Sequence, residues 1–393
     1  MKIGIVTHYY KSKNYGGNLQ AYALTAYLNT LGYQAEQICY DSTKYAPRKS
    51  PLQKILKLGP LGVLRGVREK IINNRNAKLF LLENQKYDLK NQQEKAFSHF
   101  NSAVIPNGKT VYTDETIGKC ASDYDAFITG SDQVWNLAWY RPAYYLQFVP
   151  SDKPKISYAA SMAMSSLNQK QKKLVTGLLS DYTAISVRED KAVELLTPLV
   201  KEEPKLVLDP TLLLSAEQWD EICAPCMIEE PYVLCYFLGD NKKERELAEE
   251  FAQKKGLKLI TMPHACGVRA ADVDFPKNGE KLFDVTPERF ISLIKHANYV
   301  FTDSFHATVF SYLYKKQFFV FHRSKRKEMS SRIDSIIEMF GATDHFCKEK
   351  HQETVSYLET VADIDYSHPN PEFNMLKEVS VEFLKKALAE NKE

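Results

Sequence analysis

The residues able to do chemistry gather where an apolar run stops and polar side chains begin. The richest such point is Tyr299-Val-Phe-Thr-Asp-Ser-Phe-His-Ala-Thr-Val309. It reads as a short buried strand running straight into a helix, with Asp303, Ser304, His306 and Thr308 at the junction. Open α/β sheets bind ligands at such strand ends. The free N–H groups opening the following helix favour an anion. A histidine placed there can act as a general acid or base near neutral pH. No GxSxG elbow surrounds Ser304, so its hydroxyl suits an anion ligand or a helix cap better than a nucleophile. Asp303 suits orienting the histidine or capping the helix.

Two further strand ends carry polar groups. Arg188 closes the run Ala184-Ile-Ser-Val-Arg188. A guanidinium there fits bidentate binding of carboxylate or phosphate, or else a salt bridge to Glu189, Asp190 or a neighbouring helix. Gly130-Ser-Asp-Gln-Val-Trp-Asn136 offers Ser131, Asp132, Gln133 and Asn136 as partners for sugar hydroxyls. Trp135 suits either stacking on a pyranose or the core. The loop Asn14-Tyr-Gly-Gly-Asn-Leu-Gln20 sets Gly16, Gly17 and Asn18 before a helix, where backbone could approach an anion or simply turn. It is not GxGxxG, which argues against a dinucleotide. Asp272-Val-Asp274 is a DxD in a loop rather than after a strand, which argues against a metal. His264, Arg269, Arg323, Lys325, Arg326 and Arg332 are further basic positions. A solvated basic loop accounts for most of them, and Arg332 is the preferred anion ligand.

The elements that would position these groups alternate. Apolar runs at 3–8, 34–40, 126–130, 155–159, 184–187 and 205–208 read as strands, with helices over 18–31, 169–182 and 190–196. A second series begins at 232–238 and continues with strands at 257–262, 299–302 and 318–321 and helices at 242–255 and 287–296. Alternation of this kind predicts parallel sheets with helices on both faces. The expected fold is α/β, two Rossmann-like domains facing a central cleft, with the domains at 1–220 and 221–393. A last helix, 374–389, is expected to pack back on the first domain. Residues 83–116 show no sharp pattern.

Composition narrows the class. The chain has 393 residues, 44% of them hydrophobic, enough for two cores. A net charge of +3 is too weak to argue for nucleic acid. Residues 48–78 nevertheless hold nine Lys/Arg against Glu69 alone, +8, so the remainder carries 3 − 8 = −5. With an apolar stripe that includes Leu52, Ile55, Leu56 and Leu64, the segment reads as a solvated helix or, more sharply, as a peripheral contact with anionic lipid. No secretory leader and no membrane-length apolar run are evident. Seven scattered cysteines fit a reducing cytosol, and Cys223-Ala-Pro-Cys226 alone is too sparse a signal for zinc. The expected location is cytoplasmic, with the membrane's inner face as the sharper alternative.

Taken together, NYGGNLQAYAL (14–24), YDAFITGSDQVWN (124–136), ISYAASM (156–162), ISVRED (185–190), LDPTLLL (208–214) and FTDSFHATVFS (301–311) resemble, in order, the polysaccharide pyruvyl transferase family. The resemblance implies a GT-B-like pair of domains and phosphoenolpyruvate as co-substrate. It also implies a sugar acceptor, lipid-linked or otherwise, and no metal or nucleotide cofactor. By motif, the family's arginine and histidine are Arg188 and His306. The family's usual glycine after the histidine is here Ala307, which matters if the position requires positive φ or close ligand approach. The competing expectations are a GT-B glycosyltransferase using a nucleotide sugar and a catalytically inactive glycan-binding member.

Overall fold

Two parallel sheets follow one another along the chain. The computed structural model describes residues 1–44, 74–75, 77–79, 81–86, 88–263, 278–323, 331–368 and 370–389. The first sheet contains β1 (Lys2–Val6), β2 (Gln34–Tyr40), β3 (Asn107–Tyr112), β4 (Ala126–Thr129), β5 (Lys155–Ala160), β6 (Ala184–Val187) and β7 (Lys205–Leu206). The second contains β8 (Tyr232–Tyr236), β9 (Lys258–Thr261), β10 (Glu280–Lys281), β11 (Tyr299–Thr302), β12 (Gln317–Phe321) and β13 (Phe346–Cys347). Their spatial orders are β3-β2-β1-β4-β5-β6-β7 and β10-β9-β8-β11-β12-β13. Central strands such as β1, β4, β5, β8 and β11 are buried on both faces, which is why they read as continuous apolar runs. The fold is α/β, two Rossmann-like sheets with covering helices.

Both orders reverse direction once, between β1 and β4 in the first sheet and between β8 and β11 in the second. In-register pairing ends at Val6 opposite Thr129 and at Tyr236 opposite Thr302. Crevices open beyond such points because the crossovers on either side leave to opposite faces.

The main helices are α1 (Tyr15–Thr30), α2 (Leu89–His99), α3 (Gln169–Leu178), α4 (Asp190–Leu196), α5 (Ala216–Asp220), α6 (Lys242–Lys255), α7 (Pro287–His296), α8 (Phe305–Leu313), α9 (Ser331–Met339) and α10 (Pro371–Ala389). The first of these joins the halves. Leu19, Ala21 and Ala23 share an apolar cluster with Leu234, Tyr236, Phe290 and Phe310. Tyr15 stacks on Phe290 at 4.6 Å and donates its hydroxyl to the Val285 carbonyl at 2.9 Å.

The sequence predicts a loop through Gly16 and Gly17 and a helix from residue 18. The helix instead starts at Tyr15, because the Asn14 side chain caps it by accepting from the Gly17 N–H at 3.1 Å. Residues 83–116, without a pattern in the sequence, hold α2 and the partly exposed edge strand β3. Most of the basic segment 48–78 lies outside the described residues, as do His264, Arg269, Asp272, Asp274, Lys325 and Arg326. Among the described residues no helix is long and apolar enough to cross a membrane.

The last helix, α10, lies on the first sheet. Leu384, Ala387 and Leu388 pack with Ile3, Ile5, Leu24, Leu28 and Val207. Ser380, fully buried, accepts the Leu208 N–H at 2.8 Å and donates to the Leu376 carbonyl. Ser380→Ala leaves a buried N–H without a partner and is expected to cost about 1–3 kcal/mol in urea unfolding. A loss below a few tenths would mean that water replaces the hydroxyl there.

Candidate functional site

Both crevices open into one cleft of about 700 Å³ of free space. Its walls come from the loops at the two reversal points. Asn14, Gly16, Asp132 and Gln133 line it from the first sheet, and Tyr236, Leu238, Asp303, Ser304, Phe305, His306, His322 and Arg323 from the second, with Ile333 of α9.

His306 sits in the first turn of α8. Ser304 caps that helix, its Oγ accepting the Ala307 N–H at 3.4 Å, and no acid occupies the first turn. The N-terminus therefore faces the cleft with its partial positive charge uncompensated by its own side chains. Gly16 lies directly against the imidazole: a Cβ built on Gly16 would fall 1.9 Å from Nδ1 and 2.4 Å from Cε1. A glycine is required there by the ring, not by the helix it weakens. The Nδ1 edge thus meets the first domain's wall of the cleft, while Nε2 points inward, 3.7 Å from Oδ2 of Asp209.

Asp209 is the centre of a buried charge cluster. Its side chain has 0% exposure, and Oδ2 accepts Arg188 Nη1 at 2.6 Å and Ser131 Oγ at 3.0 Å. Oδ1 accepts the Thr211 N–H and hydroxyl at 3.0 and 2.7 Å. Burial alone would raise its pKa, but His306, Arg188 and Thr211 outweigh it and hold the carboxyl well below the usual carboxylate range. Arg188 is itself buried, with Nη2 3.6 Å from Asp132 Oδ1 and its guanidinium 4.6 Å from the centre of the Phe305 ring.

Asp132, in the loop just beyond β4, has φ +69, and Ala159 and Ala163 take φ +53 and +48. Such conformations are costly outside glycine and gather at functional sites. They are held by specific bonds. The Asp132 carbonyl accepts the Ser161 and Val134 N–H groups at 3.0 and 2.7 Å. Glu189 Oε1 accepts the Ser161 hydroxyl and the Met162 and Ala163 N–H groups.

Several sequence expectations change on this geometry. Neither Glu189 nor Asp190 pairs with Arg188: the first clamps the turn after β5 and the second accepts from Ser335 at 3.0 Å. Arg188 stands behind the cleft wall, not on it. Asp303 neither orients His306 nor caps α8; its carboxylate accepts the Leu238 and Gly239 N–H groups at 2.6 and 2.9 Å and Arg323 Nε at 3.3 Å. Trp135 is a core residue, fully buried, donating to the Tyr144 carbonyl and stacked on Tyr145. Thr308 spends its hydroxyl on the Ser304 carbonyl inside the helix. Asn18 is buried, bonding the Ser12 and Asn14 carbonyls and accepting from Asn101. Asn136 caps the short turn at Leu137–Trp139, and Ser131 serves Asp209. Gly17 is pressed to the His8 carbonyl, 2.6 Å from where its Cβ would be, and Asp132 Oδ2 lies 3.5 Å from that point. Arg332 belongs to α9, but its side chain lies outside the description.

Two residues went unassigned by sequence reasoning or were set aside. Asp209 follows the last strand of the first sheet within the quoted LDPTLLL motif, and that strand-end position was the available signal. Arg323 was grouped with a solvated basic loop, yet it lines the cleft while tied to Asp303 through Nε and, at 3.4 Å, through Nη2. Among the described residues no group of three or more His, Cys, Asp or Glu is placed to hold a metal.

A family model described as polysaccharide pyruvyl transferase matches residues 14–324, a span that holds Gly16, Asp132, Arg188, Asp209, His306 and Arg323. The chain belongs to that family. No curated protein matches the sequence. Among solved structures, UDP-GlcNAc 2-epimerase from Neisseria meningitidis, bound to UDP-GlcNAc, is 12% identical with a TM-score of 0.50, over 98% of this chain and 100% of that one. UDP-GlcNAc 2-epimerase from Methanocaldococcus jannaschii is 11% identical with a TM-score of 0.52 over the same shares. These likenesses show the fold, a GT-B-like pair of Rossmann domains. In this family member, Ala307 departs from the usual glycine without strain: it lies inside α8, fully buried, and not at positive φ.

Asp209→Asn removes the short partner of a buried guanidinium while Asp132 keeps the longer one. The expected cost is about 3 kcal/mol at pH 7, the low end for breaking a buried pair. Because the folded carboxyl titrates below its unfolded value of about 4, that stability is fully present above pH ~4 and is lost as the pH falls further. Urea titrations of both proteins from pH 7 to 3 should therefore show the gap closing only in acid. A gap independent of pH would reject the assignment.

Proposed function

We propose that this chain transfers the enolpyruvyl-derived group of phosphoenolpyruvate to a pair of sugar hydroxyls, forming a pyruvate ketal in surface polysaccharide or its precursor. The observation that carries the reading is His306 at an uncompensated helix N-terminus, backed by ionised Asp209 and facing a cleft that also presents Arg323. Phosphoenolpyruvate brings a phosphate, a carboxylate and a carbon, C3, that must gain a proton. The α8 N-terminus and Arg323 supply anion contacts. His306 delivers the proton to C3 from Nδ1, the edge beside Gly16 at the cleft wall, while Asp209, 3.7 Å from Nε2, stabilises the imidazolium. As C3 is protonated, positive character develops at C2 and one hydroxyl oxygen bonds there. A second hydroxyl then displaces phosphate, which leaves with the C2–O bonding pair. Arg188 acts through Asp209, holding it ionised and in place.

The fold also suits a nucleotide-sugar glycosyltransferase, and the epimerase neighbours with UDP-GlcNAc make that the reading to test against. An inactive glycan-binding member is the other alternative; the α-helical φ of Ala307 removes the backbone argument for it. A peripheral membrane contact through 48–78 and a cytoplasmic site of action complete the proposal, with the acceptor carried on lipid or free.

His306→Ala is expected to abolish phosphate release from phosphoenolpyruvate, a loss of about 10²–10⁴-fold, with the fold retained by circular dichroism. Gly16→Ala should reproduce most of that loss by driving the ring from its place. Near wild-type turnover in either would reject the role of His306.

Ligand at 100 times its dissociation constant stabilises a fold by about 2.7 kcal/mol. Phosphoenolpyruvate is expected to raise the melting temperature, and Arg323→Ala to weaken its binding by about 10–100-fold, as loss of charged hydrogen bonds worth about 1.5–3 kcal/mol requires. A shift with UDP-GlcNAc and none with phosphoenolpyruvate would replace the pyruvyl reading with glycosyl transfer.

A further inference from the structure

Ketal formation needs two proton-handling groups, one giving a proton to C3 and one taking a proton from the attacking hydroxyl. His306 fills the first role in the reading above, and this inference rests on that reading. The second group must reach the cleft, be able to carry negative charge and approach from the other wall, so that acceptor and donor meet between them.

Among the described residues three carboxylates lie near the cleft. Asp303 is fully buried and saturated by two backbone N–H groups and Arg323. Asp209 is fully buried and accepts four hydrogen bonds, one of them from Arg188 at 2.6 Å. Asp132 differs in its exposure. Its side chain is 15% exposed and lines the cleft, and its ion pair with Arg188 is the longer one, 3.6 Å against 2.6 Å for Asp209. The Coulomb attraction of Arg188 is therefore stronger for Asp209 than for Asp132. Its backbone is held at φ +69 in the loop just beyond β4, on the first domain's wall of the cleft, whereas His306 comes from the second domain. A strained backbone fixed by specific hydrogen bonds aims this carboxylate into the cleft rather than along the sheet.

We infer that Asp132 is the general base for the acceptor: it takes the proton of the sugar hydroxyl as that oxygen bonds to C2 of phosphoenolpyruvate, while His306 gives its proton to C3. The two roles are divided between the domains. The oxygen lone pair becomes the new C2–O bond, and the C2=C3 π electrons become the new C3–H bond. The first proton then passes from Asp132 to bulk water, so that the same carboxylate takes the proton of the second hydroxyl as that oxygen bonds to C2, and phosphate departs with the electrons of its bond to C2. An acceptor held on the first domain's wall therefore needs two neighbouring hydroxyls presented toward Asp132.

The test uses the full chain with phosphoenolpyruvate and a panel of p-nitrophenyl glycosides bearing free 1,2- and 1,3-diols, reading phosphate release. Asp132→Asn and Asp132→Gly both tolerate positive φ, so neither disturbs the backbone there. Both are expected to slow release at least 100-fold while binding phosphoenolpyruvate within about twofold of wild type. Added formate should restore a measurable part of the rate in Asp132→Gly, since a small carboxylate can occupy the vacated place. Turnover of Asp132→Asn within threefold of wild type, or no response of Asp132→Gly to formate, would overturn the base assignment and leave the pyruvyl reading standing. A wild-type protein that neither binds nor consumes phosphoenolpyruvate would overturn both.

Discussion

The structure turns on one buried ion pair. Arg188 and Asp209 sit at the ends of adjacent strands, β6 and β7, and their 2.6 Å contact is shielded from water. A carboxylate in such a place is stabilised by further hydrogen bonds to its remaining lone pairs. The surrounding sequence supplies them with Ser131 from the loop after β4 and Thr211 from the turn after β7, while Nε and Nη2 of Arg188 make no hydrogen bond among the described residues. His306 arrives from the other sheet. Four segments far apart in the chain are thus held in register by one carboxylate. The same carboxylate places a histidine where proton transfer is useful, so stability and chemistry draw on one arrangement.

Topology explains why these segments meet at all. Each sheet winds outward in both directions from a central strand pair, and both reversal points open toward the same space. Joining them face to face requires a rigid spacer, which α1 provides. Its apolar side is shared with the second sheet, and its first turn is stripped to Gly16 so that backbone can lie on the His306 ring. The glycine costs helix propensity of about 1 kcal/mol, a small term against the packing that fixes the helix.

Much of this was legible in the residues. Period and punctuation revealed the main strands, the α/β class and the two-sheet plan, because doubly buried parallel strands are plain apolar runs. His306 was legible because a polar junction follows an apolar strand. The partners of these groups were harder to read. Nothing local distinguishes Asp209 from any turn-forming Asp before Pro210, since its role exists only through contacts across the sheet and across the domains. Trp135 looked like a sugar platform for the opposite reason: a tryptophan beside polar residues gives no sign of which face of the loop it takes, and here it turned into the core. The start of α1 was misplaced because glycine's low intrinsic preference was overridden by a cap at Asn14 and by tertiary packing. Two-residue strands such as β10 and β13 carry too little pattern to be seen at all.

The docking of α10 on the first sheet bears on how the protein is made. The edge of that sheet, at Val207 and Leu208, is completed by Ser380, Leu384 and Leu388, nearly the last residues of the described chain. Synthesis runs from the N-terminus, and domains generally fold as they emerge. Here the second sheet must be translated in full before the first can bury its own edge. The growing chain therefore carries an uncovered apolar face on its first sheet until α10 has been made.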